Sequence, residues 1–114
     1  MKRLINTLKA LSDPIRLRII NLLYIQELCV CEIVDALSLP QPTISRHLTI
    51  LKNVGLVDDK KQGQWVFYNI IVSKDDGNFI KTLIETELQK ESIFQKDIEA
   101  MQKRLQEERG CINH

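Results

Sequence analysis

Gln41-Pro42-Thr43-Ile44-Ser45-Arg46-His47-Leu48-Thr49-Ile50-Leu51-Lys52-Asn53-Val54-Gly55 is the stretch that decides the fold of this chain. Pro42 suits the first turn of a helix, where its missing N–H has no partner to lose, and Gly55 suits the C-terminal cap. On a helical wheel Ile44, Leu48 and Leu51 cluster on one side, while Pro42, Thr43, Arg46, Thr49 and Asn53 fall on the other. Short polar groups with an arginine near the N-terminus are the means by which a helix reads base edges and phosphates. A solvated surface helix is the plainer explanation, yet Arg46 and Lys52 are its only charges, where exposed faces usually carry more Lys and Glu. His47 lies on the flank, placed either to bond a phosphate or to pack half-buried.

Working outward, residues 27–37 read as a shorter helix ended by Ser38-Leu39-Pro40, which with the first stretch makes a helix-turn-helix over about residues 28–54. Beyond Gly55 the period becomes strand-like. Leu56-Val57 and residues 65–72 are rich in β-branched and aromatic side chains, and Gly63 marks a turn between them. This wing, about residues 56–72, carries Lys60, Lys61 and Gln62 at its tip. Upstream, residues 2–11 form a first helix with Leu4, Ile5, Leu8 and Leu11 on one stripe. Ser12-Asp13-Pro14 opens a second helix, with Ile15, Ile19, Leu22 and Leu23 inward and Arg16 and Asn21 outward. Downstream, after a polar break, residues 79–109 read as one helix of about 46 Å. Phe79, Ile80, Leu83, Ile84 and Leu88 are its expected buried half; Phe94, Ile98, Met101 and Leu105 follow at coiled-coil spacing.

The expected fold is mainly α with a small β-hairpin: a winged helix-turn-helix with a long C-terminal dimerisation helix, one domain over residues 1–114. Leu4, Ile5 and Leu8 with Phe94, Ile98, Met101 and Leu105 exceed what so small a core can cover, which points to a homodimer interface. The 114 residues are 44% hydrophobic and 27% charged, with a net charge of only +1, so bulk charge alone does not mark a nucleic-acid binder. Its distribution is more telling. Residues 1–72 hold nine basic against six acidic side chains, and the rest hold seven against nine, so a polyanion should meet the first part. Six aromatics are too few for a single-strand stacking platform. No apolar run approaches the roughly 20 residues of a membrane span. Three cysteines without a signal-like opening suggest a reducing compartment, hence a cytoplasmic protein.

Three runs are more specific than any period: residues 11–19 (LSDPIRLRI), residues 41–48 (QPTISRHL) and residues 61–68 (KQGQWVFY). With Leu51-Lys52 and Gly55-Leu56-Val57, they resemble the ArsR/SmtB family of metal-responsive repressors over about residues 8–72. The resemblance implies a homodimeric winged-helix repressor of double-stranded operator DNA that departs when an inducer binds. Thr43, Ser45 and Arg46, assisted by Gln41 and His47, are then the expected base-reading groups, with Lys60 and Lys61 at phosphate or the minor groove.

Glu27-Leu28-Cys29-Val30-Cys31-Glu32 resembles the inducer segment of the arsenite-responsive branch, which implies trivalent arsenic as inducer and no organic cofactor. Thiolates do select soft, thiophilic ions. A helix start should lower the thiol pKa of Cys29 and Cys31. In a regular helix residues i and i+2 sit about 200° apart, so gripping one ion should require the segment to be extended or unwound. The branch usually adds a cysteine three residues later, where this chain has Val34; Cys111 is the only other candidate. Alternatives remain: two buried hydrophobes, a thiol redox or persulfide sensor of the same fold, or a zinc or cadmium sensor. An enzyme, a thiol-disulfide oxidoreductase, is disfavoured because the spacing is C-x-C and no βαβ unit accompanies it.

Overall fold

The computed structural model describes residues 1–71 and 77–107. Helix α1 (Lys2–Leu11) leads through Ser12 into α2 (Pro14–Ile25), whose free amides are capped as the sequence implies: the Asp13 carboxylate accepts from the N–H of Ile15 at 2.8 Å and of Arg16 at 3.1 Å. A two-residue strand β1 (Leu28–Cys29) precedes α3 (Val30–Leu37), so the third helix begins three residues later than its expected start. Helix α4 (Gln41–Asn53) ends in a Schellman turn: Gly55, at φ +81°, donates to the Lys52 carbonyl and Leu56 donates to that of Leu51. Strands β2 (Val57–Gln62) and β3 (Trp65–Ile70) form the wing about Gly63, at φ +62°.

The sheet has three strands rather than the two of a hairpin. β1 pairs antiparallel with β3, giving the order β1-β3-β2. Leu28 and Cys29 are too few residues for a period-2 signal, which is why the sequence reads them as helix. The core gathers Ile19, Ile20 and Leu22 of α2, Leu28, Ile33 of α3, and Ile44, Leu48 and Leu51 of α4. Asn21 lies inside rather than outward: it is fully buried, and its side-chain amide donates to the Phe94 carbonyl at 3.2 Å.

The expected single helix over 79–109 is broken. Helix α5 (Gly77–Thr82) runs into a π turn (Leu83–Glu87) and a 3₁₀ turn (Leu88–Lys90), Glu91 is extended, and α6 (Ser92–Glu107) starts anew. No Pro or Gly marks the break. The Gln89 side-chain amide donates to the Ile84 carbonyl, using an acceptor of the disturbed turn. Ile80, Ile84 and Leu88 are buried as expected, whereas Phe79 is exposed. The break lets α6 fold back across α2 and α3. Arg18 grips Asp97 with Nε and Nη2 at 2.8 and 3.0 Å, and Arg104 Nε donates to Asp35 Oδ2 at 2.6 Å.

The expected dimer seam is therefore largely spent within the protomer. Phe94 and Met101 are 4% and 1% exposed in the chain's own core, and Ile98 and Leu105 pack against it half-buried. A 4-3-4 spacing states only that one helix face is apolar, not whose surface covers it. Leu4, Ile5 and Leu8 of α1 do remain exposed. Met101→Ala should accordingly destabilise the folded chain by about 2–5 kcal/mol in urea unfolding, as a core cavity does. Leu4→Ala at a concentration where the chain is monomeric should leave its stability within about 0.5 kcal/mol.

Candidate nucleic-acid interface and cysteine site

Helix α4 exposes the polar side that the wheel describes. Ile44, Leu48 and Leu51 are fully buried and fix its roll, leaving Gln41, Pro42, Arg46, Thr49 and Asn53 exposed, with Thr43 and Ser45 half-exposed beside them. Lys60 and Lys61 are exposed on β2. Lys52 Nζ meets Asp59 Oδ1 at 2.9 Å and joins the recognition helix to the wing strand.

His47 does not join that face. It is 7% exposed and points back at the start of α2, where Arg16 Nη1 lies 3.0 Å from its Nδ1 and Asp13 Oδ1 4.0 Å away. Arg16, expected outward, also donates from Nε to the Ala10 carbonyl at 2.5 Å. Arg16 can only donate, so Nδ1 accepts, and the imidazole is neutral with its proton on Nε2. His47 thus holds the recognition helix to the α1–α2 corner, and of the expected base-reading residues it is the one the structure withdraws. Burial pushes its pKa below the ordinary value and the Arg16 and Arg46 charges push the same way, against Asp13.

Cys29 is the N-cap of α3, in extended backbone at φ −85° and ψ 164°, and Cys31 lies in the first turn. The fully buried Glu32 carboxylate accepts the Cys29 N–H at 2.9 Å, half of a reciprocal capping box. The bend between strand and helix brings the two sulfurs to 3.5 Å. Of the two expected conditions, extended or unwound, the segment meets the first: Cys29 already stands in extended backbone, which undoes the i, i+2 separation without any unwinding. The expected lowering of the Cys29 pKa is reversed. Burial pushes the thiol up and the Glu32 carboxylate repels its charge, outweighing the backbone N–H groups of Glu32 and Cys31 that pull it down. Among the described residues, no three His, Cys, Asp or Glu groups are placed to hold a metal ion together. Cys111 lies outside the described residues.

A buried helix pair with a polar outer face, followed by a cation-tipped hairpin, defines a winged helix-turn-helix transcriptional regulator rather than an enzyme. Residues 13–59 match the model for "Bacterial regulatory protein, arsR family", and an uncharacterised HTH-type transcriptional regulator of Methanocaldococcus jannaschii is 53% identical over 64 residues, 55% of this chain and 72% of that protein. The chain belongs to the ArsR family. The arsenical resistance operon repressor of Escherichia coli K12 is 49% identical over 67 residues, 58% of this chain and 57% of the relative. The chain spans about half the length of several of the curated relatives it matches. Among solved structures, the homodimeric winged helix-turn-helix domain of a possible ArsR-family regulator from Mycobacterium bovis is 27% identical. That match covers 79% of this chain and 85% of that one at a TM-score of 0.65. No helix among the described residues is long and apolar enough to cross a membrane.

The His47 contact carries a pH signature. A histidine whose pKa is lowered by folding favours the native state fully above its unfolded value near 6.5, and that contribution is lost as pH falls through 6.5 toward the folded pKa. Urea midpoints of the wild type should therefore drop between pH 7.5 and 5.5 by more than those of His47→Asn, which keeps an acceptor for Arg16 but cannot titrate. Equal drops would detach the effect from His47.

Proposed function

We propose that this chain is a homodimeric repressor that binds operator DNA in the cytoplasm and leaves it when a trivalent arsenical bonds Cys29 and Cys31. The 3.5 Å separation of the two sulfurs, at the first turn of the helix-turn-helix, carries the reading. Two bonds of about 2.3 Å, the length of a zinc–thiolate bond, would close that gap at an angle of about 100°. That is nearer a pyramidal three-coordinate centre than a tetrahedral one. The chemistry of the protonated thiol points the same way. A zinc or cadmium ion must expel the Cys29 proton from a buried position that resists charge. Arsenous acid need not: in the reduced protein, with both cysteines as thiols, each S–H proton leaves with a hydroxide as water, and two As–S bonds replace two As–O bonds with no net change of charge. Cys111 tightens such a site as a third sulfur.

The exposed Leu4, Ile5 and Leu8 of α1 support dimerisation, helped by the half-buried Ile98 and Leu105, as does the homodimeric relative from Mycobacterium bovis. Two recognition helices related by a twofold axis would read an imperfect inverted repeat with half-sites about 34–36 Å apart. Thr43, Ser45 and Arg46, with Gln41, face the bases, and Lys60 and Lys61 face phosphate or the minor groove. A sulfur pair at this distance also suits oxidation or persulfide chemistry, so the inducer titration includes polysulfide.

Operator release followed by fluorescence anisotropy with arsenite, zinc, cadmium and polysulfide tests the reading. Arsenite should release the wild type, while Cys29→Ser and Cys31→Ser should stay bound at every arsenite level and Cys111→Ser should need more. Release by polysulfide alone would move the assignment to redox sensing; full arsenite release of the Cys29→Ser, Cys31→Ser double variant would end it. On the DNA side, Arg46→Ala should cost about 1–3 kcal/mol and relax sequence preference. Replacing Lys60 and Lys61 should weaken all sequences alike and flatten the salt dependence by about one unit per lost contact.

A further inference from the structure

We propose that occupancy of the cysteine pair reaches DNA through the sheet, along the rung Cys29–Phe67–Lys60, with Phe67 as the positioning residue that transmits it. The inference rests on the inducer reading above and names the path by which that site acts. Cys29 stands opposite Phe67 in the β1–β3 register, and Phe67 stands opposite Lys60 in the β3–β2 register. Directly opposed residues project from the same face of a sheet, with Cβ atoms about 4.5–5.5 Å apart across each pair. Sulfur, aromatic ring and wing cation therefore share one line across the three strands. Trp65, two residues before Phe67 on β3, projects from the same face.

Packing gives that line its mechanical sense. Cys29 and Phe67 are 1% and 7% exposed, and a close-packed interior cannot take a new substituent on the sulfur without moving a neighbour. The weaker boundary is the one that yields. β1 holds β3 by two residue pairs, whereas β3 holds β2 by six, so β3 and β2 move together as one ribbon. Helix α4 is anchored by Ile44, Leu48 and Leu51, all fully buried, and stays with the helical core. The ribbon carries Lys60 and Lys61 with it; the half-exposed Lys52–Asp59 ion pair that ties β2 to α4 is a weak surface contact and gives way, and the wing changes its reach relative to the recognition helix. Since the sulfurs already stand close, this path requires no unwinding of α3.

Trp65 is the only tryptophan of the chain and reports on the ribbon without a label. In DNA-free, reduced, full-length protein, arsenite binding is measured by equilibrium dialysis and Trp65 emission is followed in parallel. The emission should change with the same midpoint as binding, and Phe67→Leu should keep the binding while losing most of the change. Saturating arsenite should weaken wild-type operator binding by a factor in the usual range of couplings, about 5- to 150-fold. In a Lys60→Ala, Lys61→Ala variant, weaker to begin with, that factor should fall below about 5-fold. Cys29→Met, which enlarges the side chain on the same rung, should shift Trp65 emission with no arsenite present. Arsenite that binds and releases DNA with Trp65 silent, with the full release factor kept in the wing variant, would overturn the inference. Failure of arsenite to bind, with Cys29→Met still shifting Trp65, would instead overturn the inducer reading and leave the sheet path supported.

Discussion

One hydrogen bond, from the Cys29 backbone N–H to the buried Glu32 carboxylate, sets the point at which strand becomes helix. A carboxylate withdrawn from water is costly unless its oxygens accept hydrogen bonds, so Glu32 holds the chain to this turn as firmly as the turn holds Glu32. Everything functional is measured from here. β1 ends at Cys29 and so pairs with the wing strand, α3 begins at Val30 and sets the phase of the helix-turn-helix, and the two sulfurs meet across the bend. A regular helix through residues 27–37 would separate the sulfurs and leave the wing strand β3 without its second partner.

The opposite end of the recognition unit is held by charge rather than by a buried cap. Asp13 caps α2, and Arg16 reaches from the same turn to both the Ala10 carbonyl and His47 of α4. The corner between the first two helices thus fixes the helix that faces DNA. Burial pushes the Asp13 carboxyl up, but the backbone N–H donors of Arg16 and Ile15, the Arg16 charge and, once protonated, His47 outweigh it, so its pKa lies below the usual value. On the far side, Arg18 binding Asp97 with two nitrogens and Asn21 donating to Phe94 dock α6 across α2. Removing one partner of so enclosed a pair is expected to cost more than a surface ion pair, because the other charge stays behind unmatched.

Local signals were legible wherever a single residue type does a job no other does well. Asp13-Pro14 announced the start of α2, Gly55 the end of α4, Gly63 the hairpin turn, and the wheel of residues 41–53 the polar side that α4 exposes. Signals that depend on a partner elsewhere in the chain were not legible. β1 has no pattern of its own and exists because β3 passes beside it. The break at Glu91 lacks Pro and Gly, and is set by where α6 must dock. Asn21 and Arg16 read as outward because their partners, Phe94 and His47, lie 73 and 31 residues away. The cysteine pair is legible by residue type and the need for an extended segment by spacing, but the raised Cys29 pKa is not, because burial and the Glu32 carboxylate that cause it are tertiary.

Ser38 offers a view of this architecture through the substitutions it would accept. It closes α3 in the left-handed region, at φ 55° and ψ 46°, and its neighbours Leu39 and Pro40 carry the chain into α4. Its side chain is exposed, so packing places no demand on the position and backbone conformation places nearly all of it. Gly and Asn suit such a C-terminal turn, whereas Val, Ile and Thr are penalised by their branched Cβ at positive φ. Across variants that keep this helix-turn-helix angle, position 38 should therefore drift among small and amide residues while excluding β-branched ones. The turn between α3 and α4 would then be recorded as a narrow alphabet at one solvent-facing site.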